Sequence, residues 1–130
     1  MPDTLQERHG VQVLMCDPSG PTVVSEQDAL NLIGAALLDA EIVVVPVSRL
    51  DEKFFSLSTR FAGEIMQKFV NYQLRLAVVG DISHYLEASD ALRALVRESN
   101  LGSHIWFLPD AEALDARLKA TGAKARGLHA

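Results

Sequence analysis

Ile42-Val43-Val44-Val45-Pro46-Val47 sets four β-branched residues side by side with no polar residue between them. A strand with one wet face alternates apolar and polar residues; a run without alternation predicts a strand covered on both faces, as in a parallel sheet. Two more runs share this character, Leu74 to Gly80 and Ile105 to Leu108, and Val11 to Cys16 is β-rich and mostly apolar. Thr22-Val23-Val24 reads as a short additional strand. Between the runs lie segments of helical period. Ser25-Glu26-Gln27-Asp28 matches a capping box ahead of Ala29, Leu30, Ile33, Ala36 and Leu37. Ser58 or Thr59 is positioned to cap a helix striped by Phe61, Ala62, Ile65, Met66, Phe69 and Val70. Ser89 or Asp90 precedes Leu92, Leu95 and Val96, and Pro109-Asp110 precedes Ala111, Leu114 and Leu118. Asn71 is expected to end the second helix in a left-handed conformation, and Asn100 and Gly102 to stop the third. Strands alternating with helices, joined by right-handed crossovers, predict an α/β domain with a mostly parallel sheet of four to five strands and packed helices.

At 130 residues the chain is the size of one domain, expected over residues 1–120, with a flexible tail over 121–130. Its 48% hydrophobic and 22% charged residues exclude disordered and fibrous classes. A net charge of −5 repels phosphate backbones, so nucleic acid is not an expected partner. The single cysteine, Cys16, rules out an intramolecular disulfide framework and fits a reducing compartment. Met1 to Arg8 has no apolar core of the kind a signal peptide needs, and Ile42–Val47 is too short to span a bilayer. A cytoplasmic protein with no membrane partner is therefore expected. His9, His84, His104 and His129 lack ligand spacing and Cys16 has no cysteine partner, so no metal site is expected. No Gly-rich phosphate loop or nucleophile elbow is present, and no cofactor is expected.

One stretch is distinctive. Phe54-Phe55-x-Leu57-x-Thr59, Ala62-Gly63-Glu64-Ile65, Gln67-Lys68-Phe69-x-Asn71-Tyr72, Leu76-Ala77-x-Val79-Gly80-Asp81 and Arg97-Glu98-Ser99-Asn100 together resemble a bacterial family known as domain of unknown function 4180. The resemblance covers the chain from about Ser25 to Leu118 and implies a fold but no activity. The order of strands and helices also resembles that of STAS domains of the anti-sigma antagonist type. Those switch by phosphorylation of a serine at the start of the second helix, usually after Asp. Ser58 and Thr59 fall near that place, but Leu57 precedes Ser58, so the sequence departs from the switch.

In a parallel sheet the loops after the strands share one edge, where ligands usually bind. That edge receives Phe54, Phe55, Thr59, Arg60 and Asp81, and Glu64 on the following helix joins them as a candidate carboxylate. Gly63 beside Glu64 suggests close backbone approach of another element and partial burial of Glu64; the competing reading is a surface Glu64–Lys68 pair. Thr59 and Asp81 each carry a plain structural reading as well, a helix cap and a turn bond. The opposite edge gathers Lys68, Asn71, Tyr72, Glu98 and Asn100, which equally suit ordinary helix ends, with Arg75 or Lys68 as a cation for Glu98. Two function classes follow. The first is a non-catalytic regulatory or protein-interaction domain of STAS-like type in a bacterial cytoplasm. Phe54-Phe55 would serve it as a docking patch or as a plug over the core, and it would pair with its own copy or a protein partner through that patch or through an edge strand carrying Val11, Val13 and Met15. The second is a small-molecule-binding protein or small metabolic enzyme using a carboxylate at the sheet edge.

Overall fold

A computed structural model of the chain describes residues 3–127. Five strands form one sheet in the order β1 (Thr4–Arg8), β2 (Val11–Met15), β3 (Ile42–Pro46), β4 (Arg75–Val79) and β5 (Ile105–Leu108). β1 and β2 pair antiparallel, and every other pair is parallel. The expected parallel strands are therefore present in one sheet. The hairpin strand β1 is an addition to the sequence reading. Thr22–Val24 contributes only a single parallel bridge, Val23 to Leu50.

The helices are α1 (Glu26–Ala36), α2 (Phe61–Asn71), α3 (Ser83–Ala88), α4 (Asp90–Leu101) and α5 (Ala111–Gly127). Consecutive parallel strands laid down in one direction with crossovers of one hand put α1, α2, α3 and α4 on the same face. Leu14, Cys16, Val43, Val45, Leu76, Val78, Ile105 and Phe107 point into that layer. The alternate residues, Val11, Val13, Ile42, Val44, Ala77, Trp106 and Leu108, meet Leu114 and Leu118 of α5 on the other face. Each strand of the parallel part is thus sandwiched, which is why its sequence shows no polar alternation. The segment expected as a tail from Thr121 continues α5 as far as Gly127, and residues 128–130 lie outside the described ones.

The helix starts follow local chemistry. The Ser25 hydroxyl accepts from the Asp28 amide while the Asp28 carboxylate accepts from Ser25, closing the capping box. The Ser89 hydroxyl accepts from the Leu92 amide, and the Asp110 carboxylate from Ala113. α2 starts differently from expectation. Its N-cap position is Arg60, in the left-handed region at φ 65°, and Thr59 sits one residue outside, accepting from the Phe61 amide at 3.2 Å. Its end also differs: Asn71 is still helical, and the left-handed residue is Gln73 at φ 58°.

Candidate functional site

The carboxyl edge of the parallel strands is roofed by three short 3₁₀ turns after β3, Val47–Arg49, Glu52–Phe55 and Leu57–Thr59. The middle turn drives Phe54 and Phe55 inward, leaving them 1% and 4% exposed. Phe54 meets Phe55 edge-on at 5.2 Å between centroids and lies 6.3 Å from Phe107 of β5. Phe55 stacks on Tyr85 of α3 at 4.4 Å. Of the two roles expected of the pair, the structure shows the plug over the core and corrects the docking patch: both rings are already covered by the protein's own aromatics. The alternative docking edge is corrected as well. Val11 and Val13 are buried beneath α5, and β1 closes the edge of β2.

Around the plug, the polar candidates are engaged locally. The Thr59 hydroxyl bonds the backbone carbonyls of Lys53 and Ser56 at 2.8 and 2.7 Å. Arg60 and Glu64 are exposed. The close approach expected at Gly63 does not occur: a Cβ there would meet nothing within 4 Å, because Gly63 and Glu64 lie on the outer side of α2. Lys68 pairs with Glu26 of α1 at 3.3 Å instead of with Glu64. Asp81 follows Gly80, whose φ of +147° ends β4 where a side chain would strike Val47. The Asp81 carboxylate accepts from the Ser83 amide at 2.9 Å and from the Ser83 hydroxyl, and those two bonds hold its pKa below the ordinary carboxylate value. An acid held ionised in this way suits a turn or ligand contact better than a general base at neutral pH.

One cleft opens beside Asp81. It is about 120 Å³ and is walled by Val78, Ile82, Leu86, Val96, Phe107 and Pro109, with Asp81 and Ser83 at its lip. Small-molecule sites usually run to roughly 300–1,000 Å³. On the other side of the plug lies a feature that the sequence candidates did not include. Arg49 is 4% exposed, and its guanidinium pairs with Asp3 at 2.8 Å. Cys16 is buried beside them, and burial together with the Asp3 carboxylate pushes its thiol up to about 12.

The opposite edge does not assemble the second candidate group. Among the described residues, no side-chain hydrogen bond or ion pair joins any two of Lys68, Asn71, Tyr72, Glu98 and Asn100. Asn71 accepts from Gln67 at 2.8 Å, and Glu98 is exposed with neither Arg75 nor Lys68 paired to it. Asn100 turns onto β5, donating to the Phe107 carbonyl at 3.0 Å and accepting from the Phe107 amide at 2.7 Å. The helix ends that reach this edge nevertheless expose apolar side chains: Leu38 after α1 at 94%, Tyr72 after α2 at 47% and Leu101 of α4 at 83%.

Residues 8–118 match the family model described as domain of unknown function (DUF4180). The chain belongs to that family. No curated protein and no solved structure matches it. The match spans both edges of this DUF4180 domain, including Arg49, the aromatic plug and the Asp81 turn. Among the described residues, no helix is long and apolar enough to cross a membrane.

Proposed function

We propose that this DUF4180 domain is a non-catalytic regulatory or protein-interaction domain of a bacterial cytoplasm, of the STAS-like kind, and that it pairs with a second copy through the amino edge of its sheet. The observation that carries this reading is the occupation of the usual ligand edge by the protein's own aromatics. Phe54, Phe55, Phe61 and Tyr85 fill that edge beyond β3, and the cleft left beside Asp81 is about 120 Å³, below the size of an ordinary small-molecule site. The opposite edge instead presents Leu38, Tyr72 and Leu101 to solvent. Large exposed apolar side chains mark an interaction surface where they share one face, and these three lie at helix ends that reach the same sheet edge. A self-complementary patch gives a two-fold dimer, the commonest closed assembly.

The test is amide mapping by NMR as the protein is taken from low micromolar to millimolar concentration. The reading expects shifts and broadening confined to the loops around Leu38, Tyr72 and Leu101. Changes spread evenly over the surface, or none at all, would overturn it.

The cleft beside Asp81 supports the alternative, a small-molecule-binding protein. Val96→Trp fills that cleft. A compound that raises the melting temperature of the wild type, and loses its effect on Val96→Trp, would favour the alternative over the interaction reading.

A further inference from the structure

The segment before β1 carries Asp3 to the carboxyl edge of the sheet, where it meets Arg49, the one charged side chain buried among the described residues. Two backbone carbonyls fix the plane of the guanidinium: Nε donates to Pro21 at 2.6 Å and Nη1 to Asp17 at 3.1 Å. Gly20 lies flat against it, so close that a Cβ would stand 2.7 Å from Cζ and Nη1. The loop after β2 is therefore shaped around a guanidinium. Carbonyls orient that group but do not neutralise its charge. Asp3 does, and its carboxylate also meets the Cys16 thiol. Its Oδ1 accepts from Arg49 Nη1 at 2.8 Å and from the Asp17 amide at 2.9 Å, so the ion pair uses one guanidinium nitrogen and one carboxylate oxygen. A guanidinium presents parallel donors that a carboxylate can take two at a time. The Asp3 side chain is 22% exposed against 5% for Arg49, so the carboxylate lies on the solvent side of the cation it covers.

We propose that Arg49 and the Asp17 amide form a carboxylate-binding site at the carboxyl edge of the sheet, that Asp3 occupies it as an internal ligand, and that a carboxylate from outside the chain can take its place. The site lies at the other end of the sheet from the amino-edge surface and does not depend on it. Removing the Asp3 charge takes away the carboxylate paired directly with the buried Arg49, an unfavourable state. An external carboxylate that binds only the folded protein then restores stability by mass action. In the wild type the tethered Asp3 competes at high effective concentration, so the same additive does little. Cys16 gives a second readout. The Asp3 carboxylate helps hold its thiol protonated and the Arg49 charge opposes this. With Asp3 neutralised, Arg49 faces the thiol without that opposition and its reactivity rises; an added carboxylate lowers it again.

The experiment compares wild type with Asp3→Asn in chloride and in sodium formate at equal ionic strength, reading melting temperature and the rate of Cys16 alkylation by iodoacetamide. The expected result is a lower melting temperature and faster alkylation for Asp3→Asn in chloride, both reversed saturably by formate, with the wild type nearly indifferent. Equal responses of the two proteins to formate, no response of Asp3→Asn, or an Asp3→Asn that melts like the wild type in chloride would each overturn the proposal. If Asp3→Asn does not fold in chloride, folding in formate is the same positive result, and failure in both salts refutes the site.

Discussion

Gly63 stands on the outer side of α2 with open space where a side chain would be. Glycine inside a helix is less favourable than alanine by roughly 0.5–1 kcal/mol, because the unfolded chain has more freedom to lose. Gly63→Ala is therefore expected to stabilise the domain by about that amount, read as a raised melting temperature. A loss of stability would mean that the outer side of α2 is covered. Asp81 provides the pH-dependent counterpart. Its bonds to Ser83 lower its folded-state pKa below the unfolded value near 3.8. The bonds thus contribute stability above the unfolded pKa, and that contribution is lost as pH falls through the folded value. Ser83→Ala should raise the Asp81 titration midpoint, measured by carbon NMR of the carboxyl, and an unmoved midpoint would contradict the assignment. Gly63 and the Arg49–Asp3 pair show what a sequence leaves open. The helical period located Gly63 on α2, yet its neighbour in space depends on what packs there. The pairing of Arg49 with Asp3 spans 46 residues and exists only because β1 folds back along β2.

At the scale of elements, β5 shows how an edge is managed. It is the last strand of the sheet, and the Asn100 side chain bonds both the amide and the carbonyl of Phe107, standing in for the next strand. Asn100→Ala leaves those groups without a partner, at an expected cost of about 1–3 kcal/mol in urea denaturation, and exposes an edge prone to pairing with other chains. Asn100→Asp keeps the acceptor for the amide but sets a second oxygen against the Phe107 carbonyl, so it should recover little. Full stability in Asn100→Ala would contradict this role. The sequence marked Asn100 as a helix stop; it is still helical, with Gly102 at the C-cap, and its bond to β5 needed the return of the chain. The parallel strands were legible because burial on both faces writes itself as continuous apolar sequence. β1 was not, because Thr4, Leu5 and Glu7 are exposed and the turn uses His9 at φ 52° ahead of Gly10, without the Asn-Gly pair that signals a hairpin. α3 escaped notice for a similar reason, since none of its six residues is buried.

For the whole molecule, three layers of helix, sheet and helix leave two ends with different characters. The carboxyl end is plugged by Phe54 and Phe55 beside the small cleft at Asp81 and holds the Arg49–Asp3 pair, while the amino end exposes Leu38, Tyr72 and Leu101. The topology itself was legible, since alternating strands and helices admit few arrangements once crossovers have one hand. Which end carries apolar surface was not, because Phe54-Phe55 and Leu37-Leu38 look equally apolar in the sequence and only packing separates a plug from an exposed pair. Dimerisation through the amino edge is the central claim, and sedimentation equilibrium of wild type beside Leu38→Glu/Leu101→Glu tests it most directly. The account predicts that the wild type reaches twice the 14.2 kDa chain mass in the micromolar range, with a melting temperature that rises with concentration, while the double variant stays at the chain mass and unfolds cooperatively at a temperature independent of concentration. A wild type that holds the single-chain mass across that range, or a double variant that assembles as the wild type does, would contradict it.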